Sequence, residues 1–209
     1  MKKAEDFLQQ IGMPLSSSDE SSALDLSDKG DQERLALSLA ESAAFEEVQK
    51  LAKQIESRAV YLLGMREHGL KELRSKLRTK FPETPEMLEA CQEIPGLVND
   101  LVDDALQRCQ QNNWQSDERY IEQAVRNWTL KGSGPNKIRQ KLSITTDRDD
   151  LISSYLDWDD SEWIELAKEV LIKKYGDTHK PEARNEQAKR MRFLQSRGFA
   201  PNTIWKAFS

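Results

Sequence analysis

The sequence predicts an all-α protein made of three tandem three-helix repeats of the helix-turn-helix type. They are expected to form an elongated body behind an acidic, partly disordered N-terminal extension. Three observations predict this. Apolar residues recur at three- and four-residue steps from Glu33 nearly to the C-terminus, and no stretch alternates as a strand would. Breakers are few and clustered: Gly69, Pro82-Glu83-Thr84-Pro85, Pro95-Gly96, Asn112-Asn113, Gly132-Ser133-Gly134-Pro135, Gly176, and Gly198 with Pro201. Finally, one pattern returns at offsets of 65 and 66 residues. Arg66, Lys131 and Arg197 are followed by Leu70, Pro135 and Pro201, then by Leu73, Ile138 and Ile204, then by Leu77, Leu142 and Phe208. Leu63, Trp128 and Leu194 precede them in register.

Taken in order, residues 13–33 are rich in Ser and acids and read as a disordered or loosely attached segment. Leu35, Leu39, Ala43, Val48, Leu51, Ala52, Ile55 and Ala59 then mark an amphipathic helix. Within each repeat, apolar residues at i, i+3 and i+7 place one stripe on a short helix, at 70–80, 135–143 and 201–208. Proline suits the first turn of such a helix, where its missing N–H is unpaired anyway, and glycine just before it lets the preceding helix end. Between the short helices, Leu101, Ala105 and Leu106 correspond to Leu166, Val170 and Leu171 in longer linking helices. The expected organisation is an extension over 1–50 and repeats over 51–96, 97–145 and 146–209.

Composition supports thin helical units. Hydrophobic residues are 37% of 209 and charged residues 32%, little for one deep core. Nine Gly and seven Pro are too few for a turn-rich sandwich. No apolar run approaches the ~18 residues of a membrane span, and the N-terminus lacks the apolar core of a secretory signal. Cys91 and Cys109 cannot build a disulfide framework or a four-cysteine zinc site, which suggests a soluble protein of a reducing compartment. His68 and His179 have no partners at metal-ligand spacing. Gly132-Ser133-Gly134 reads as a turn rather than a phosphate cradle, having no strand before it. Asp103-Asp104 and Asp159-Asp160 read as solvated faces or caps. No catalytic residue, metal or cofactor is expected.

Charge is distributed unevenly. Residues 1–57 hold six basic and twelve acidic groups, whereas 58–209 hold 25 and 24. Within the latter, basic groups cluster at 66–80, 126–148 and 184–197. Recurring clusters suit a stripe that meets phosphates or an acidic protein groove, and equally the solvated faces of helices. Trp128, in register with Leu63 and Leu194, reads as a packing residue rather than a base-stacking one.

The anchors also carry a resemblance. Asp117-Glu118-Arg119-Tyr120 followed by Lys131-Gly132-Ser133-Gly134-Pro135-Asn136-Lys137-Ile138-Arg139-Gln140-Lys141-Leu142 resembles the central signature of the bacterial RecX family. Arg192-Phe193-Leu194-Gln195-Ser196-Arg197-Gly198-Phe199 resembles its closing motif, and the segment from Leu62 to Leu77 its opening one. The likeness covers about residues 58–208. Gly69 stands where the family usually has Ser, a change expected to alter only a helix cap. Ser143-Ile144-Thr145 replaces the family's Lys-Gly-Ile.

The resemblance implies a non-enzymatic, cytoplasmic modulator of the RecA recombinase. It would be a monomer lying in the groove of the RecA–DNA filament and restraining ATP hydrolysis, strand exchange and cleavage of the LexA repressor. The residues expected to contact the partner are Arg66, Arg74, Lys76, Lys131, Lys137, Arg139, Lys141, Arg192 and Arg197. The alternative is a helical module that binds single- or double-stranded DNA directly, and a third possibility is a helical scaffold for another protein.

Overall fold

The computed structural model describes residues 27–91 and 94–208. All regular structure among them is helical, and the chain divides into one unit over residues 1–43 and another over 44–209. The described part of the first unit is helix: α1 runs Ser27–Met65, crossing the division. Residues 13–26 of the expected disordered segment lie outside the described residues, but 27–33 are helical, contrary to expectation. Adding turns to an existing helix needs no new nucleus, so polar residues can join one that apolar residues anchor further along. The anchoring begins late. Leu35 and Leu39 of the expected stripe are 62% and 63% exposed, whereas Ala44, Ile55 and Ala59 are buried.

In the second unit the final turns of α1 form a bundle with α2 (Leu70–Lys80) and α4 (Leu97–Gln111). Leu73 and Leu77, four apart on α2, are fully buried against Ile55, Ala59, Val98, Val102, Ala105, Leu106 and Cys109. Full burial of such a side chain stabilises by about 1.5–3 kcal/mol. Between α2 and α4 lies α3 (Pro85–Ala90), with Pro in its first turn and the Thr84 hydroxyl accepting from the Met87 amide. Gly96, at φ +80°, reverses the chain into α4, and the Glu83 carboxylate accepts from the Val98 amide there.

The second bundle is α5 (Asp117–Leu130), α6 (Pro135–Thr145) and α7 (Asp149–Tyr155). The third is α8 (Asp160–Tyr175), α9 (Arg184–Arg197) and α10 (Pro201–Ala207). Helix α4 packs on α2, and α7 packs on α5 and α6. Packing therefore joins residues 97–111 to the first bundle and 149–155 to the second. Within each bundle the helices that pack most closely are next but one in the chain, α2 with α4, α5 with α7 and α8 with α10, so the bundle closes over the helix between them. The repeated positions serve the same purpose in each bundle: Leu73, Leu77, Ile138, Leu142, Leu194 and Ile204 are all core. The second and third bundles share one continuous core, from Tyr120 and Ile121 through Ile152, Trp163 and Leu171 to Phe199 and Ile204.

Candidate partner-binding surface

The segments that carry the repeat signature build the joints between bundles. At the first joint, one Asp117 carboxylate oxygen accepts from the Leu70 amide and from Gln115 Nε2, each at 2.8 Å. Its other oxygen accepts from the Thr146 hydroxyl. A carboxylate in the first turn of α5 thus caps the N-terminus of α2, where negative charge is favoured. Beside it the Arg119 guanidinium donates to Glu67 Oε1 at 2.8 Å and to Asn113 Oδ1 at 2.7 Å. Tyr120 donates to Thr145 Oγ1 at 3.0 Å. Gly69 belongs to this joint as well. A Cβ there would stand 2.2 Å from the Thr145 carbonyl oxygen, so its role exceeds a helix cap, contrary to the sequence reading.

Two turns dock backbone to backbone at the second joint. The Gly134 amide donates to the Arg197 carbonyl at 2.8 Å, and the Asn136 amide to the Gly198 carbonyl at 3.1 Å. Carbonyls at the end of α9 therefore meet amides at the start of α6, each satisfying orphan groups of the other helix. A Cβ on Gly134 would lie 2.7 Å from Gly198 backbone, and one on Gly198 would lie 2.4 Å from the Lys137 nitrogen.

This architecture engages most of the nine candidate cations. Arg66 and Lys76 both pair with Glu72, at 2.6 and 3.0 Å, and Arg74 pairs with Asp103 at 2.8 Å. Lys137 donates to the Ser196 carbonyl and Arg197 to the Lys131 carbonyl, across the second joint. Lys141 lies 4.8 Å above the ring of Trp128, which packs against the core as expected. Arg139 reaches the Ser153 hydroxyl at 3.0 Å. Lys131 Nζ and Arg192 are exposed and have no partner among the described residues.

Lys173 and Lys174 were not among the expected contacts. Both are exposed, and with Lys131 and Arg197 they line a cleft of about 570 Å³ between the second and third bundles. Its walls include Leu130, Trp158, Leu166, Val170 and Phe193, and Glu169 is its acid. Two adjacent lysines ending a helix read as ordinary dipole complements, so sequence gave no signal of this gathering.

Other groups read from sequence have local partners. Asp103 takes Arg74, Glu162 accepts the Asp159 amide at 3.0 Å, and Lys206 lies 3.7 Å from Asp160. Burial, followed by the Arg66 charge, pushes His68 below its ordinary pKa near 6.5, and its Nδ1 lies 3.3 Å from a Glu72 oxygen. Burial raises both cysteine thiols. Among the described residues no three His, Cys, Asp or Glu gather to hold a metal ion, and no helix is long and apolar enough to cross a membrane.

Residues 160–208, the third bundle, match the family model described as RecX, third three-helix domain. Regulatory protein RecX of Vibrio vulnificus is 33% identical over 151 residues, covering 72% of this chain and 88% of that protein. The chain belongs to the RecX family. Regulatory protein RecX of Actinobacillus pleuropneumoniae serotype 5b is 34% identical over 67% of this chain and 81% of its own. The crystal structure of RecX from Lactobacillus salivarius has the same fold, with a TM-score of 0.58 at 20% identity over 76% of this chain and 95% of that one. In family terms, the residues that carried the resemblance are joint-builders: Asp117, Arg119 and Tyr120 at the first, Gly134, Arg197 and Gly198 at the second.

Proposed function

We propose that this protein is a regulator of RecA, binding RecA and RecA–DNA filaments and restraining ATP hydrolysis, strand exchange and repressor cleavage. The observation that carries the reading is the family membership, with relatives matched over most of their length under the name regulatory protein. The geometry supports it further. A repeated body whose bundles are locked by backbone and carboxylate contacts can offer cations at fixed spacing to a partner that is itself a repeating polymer. In this reading the protein acts in the cytoplasm as a monomer, without catalysis or cofactor. Lys131, Arg139 and Arg192, which have no internal ion pair, make the partner contacts. Arg66, Arg74 and Lys76 are engaged by Glu72 and Asp103 within the first bundle.

The test is ATP hydrolysis by RecA on single-stranded DNA as the protein is titrated in. Inhibition is expected, and charge reversal at positions 131, 139 and 192 should weaken it about tenfold, as loss of several exposed charge contacts would. Unchanged inhibition by that triple variant overturns the assignment of these contacts. Lack of inhibition together with tight, salt-sensitive binding to DNA alone overturns the RecA reading in favour of a direct DNA-binding module.

A further inference from the structure

We propose that the cleft between the second and third bundles is a docking site for an acidic peptide segment of a partner protein, anchored by an apolar side chain. The proposal stands on the cleft and not on which partner the protein regulates. Three helix ends converge there: the last residues of α5, the last two turns of α8 and the end of α9. A base at each end offsets the negative pole of its helix. The side chains nevertheless extend beyond the carbonyls, and Lys131, Lys173 and Lys174 have no ion pair among the described residues. Other cations of these bundles do have a carboxylate within reach, as Lys168 has Glu165, Arg190 has Asp177 and Arg148 has Asp150. Around the concavity Lys131, Lys173, Lys174 and Arg197 face a single acid, Glu169, and this local excess of positive charge favours an acidic occupant and its diffusional capture.

The floor favours a peptide over a nucleic acid. A single strand binds aromatic platforms whose faces are open for stacking. Here Phe193 is met by the Tyr175 ring edge-on at 5.7 Å and by the Arg197 guanidinium at 5.3 Å. Trp158 is stacked on Trp163 at 4.6 Å, which covers one of its faces and leaves the residue 37% exposed, so the cleft offers at most one partly open platform. The remaining floor is aliphatic, from Leu130, Leu166 and Val170, with Leu130 75% exposed. Such a surface takes a leucine or phenylalanine side chain. Lysines rim it, each exposed pair adding little, so the apolar anchor supplies much of the affinity and the cations supply selectivity.

The experiment uses the full chain and a short fluorescein-labelled peptide in which Asp and Glu alternate with Leu and Phe. Fluorescence anisotropy should show saturable binding that weakens with salt. An all-acid peptide without Leu or Phe should bind about tenfold more weakly, as should the peptide to a K173E/K174E variant with unchanged circular dichroism and melting. Leu130→Ser, on an exposed position, should weaken binding several-fold, and K80E, at the end of α2 in the first bundle and outside the cleft lining, should leave it unaltered. Absence of binding, or equal binding by the K173E/K174E variant, overturns the proposal. So does displacement of the peptide by a poly-dT oligonucleotide at lower concentration, which would make the cleft a nucleic-acid site.

Discussion

Asp117 is the sharpest test of how the first bundle is held to the second. Asp117→Ala removes the acceptor of the Leu70 amide, of Gln115 Nε2 and of the Thr146 hydroxyl. Gln115 and Thr146 are only 2% and 1% exposed, so water cannot replace the lost oxygen. An unmet buried donor costs about 1–3 kcal/mol. Gln115 keeps a second acceptor, the His68 carbonyl at 3.2 Å, so the loss amounts to roughly two donors. The expected destabilisation is about 3 kcal/mol, or a fall in Tm of about 6–12 °C for a chain of this size. Asp117→Asn keeps one oxygen and should cost only about 1 kcal/mol. Urea unfolding followed by tryptophan emission gives both values, and hydrogen exchange places them. Protection should fall at the Leu70 and Thr146 amides and persist at Gly198 and Phe199, where the second joint is separate. An Asp117→Ala variant within about 0.5 kcal/mol of the parent would refute the reasoning, as would equal damage from Asp117→Asn.

Three further outcomes follow from the same structure. Gly198, at φ +93° with a would-be Cβ 2.4 Å from the Lys137 nitrogen, should lose about 2 kcal/mol or more on Gly198→Ala, whereas Gly64→Ala, with open space around it, should gain up to about 1 kcal/mol; calorimetry measures both. Stability should fall with acidity. His68 resists protonation in the fold because of its burial and the Arg66 charge, so below about pH 6.5 the unfolded chain binds more protons. Burial pushes Glu72 up, but hydrogen bonds from Lys76 and Arg66 outweigh it and hold the carboxyl low, adding loss of the same sign below about 4.5. Urea midpoints at pH 7.5 and 5.5 check this: the midpoint should be lower at 5.5, and His68→Gln should shrink the difference. Arg74→Ala should cost no more than about 1 kcal/mol in the same denaturation assay, because its pair with Asp103 is solvent-exposed.

The local alphabet of this chain settles much by itself. Period-3.6 patterning, Pro at first helical turns and the 65-residue recurrence place α2, α6 and α10 almost residue for residue, because a helix of two or three turns needs only one apolar stripe and a breaker before it. Leu73, Ile138 and Ile204 read as core and are core. Where α4 and α7 belong was decided by tertiary packing. Periodicity says that a helix has an apolar face, but what covers that face depends on the turns before it, such as αL Gly96 ahead of α4. Charge was the least legible. A lysine that ends a helix, one that bonds a carbonyl across a joint and one that rims a cleft look alike in sequence. Lys137, engaged by Ser196, and Lys173, without an ion-pair partner, differ only in what folding brings within 4 Å. The sequence alone determined the short helices of the repeat and the family. Only the tertiary structure decided which cations and carboxylates hold the bundles together and which face outward, because those pairings join residues some 30 to 75 positions apart.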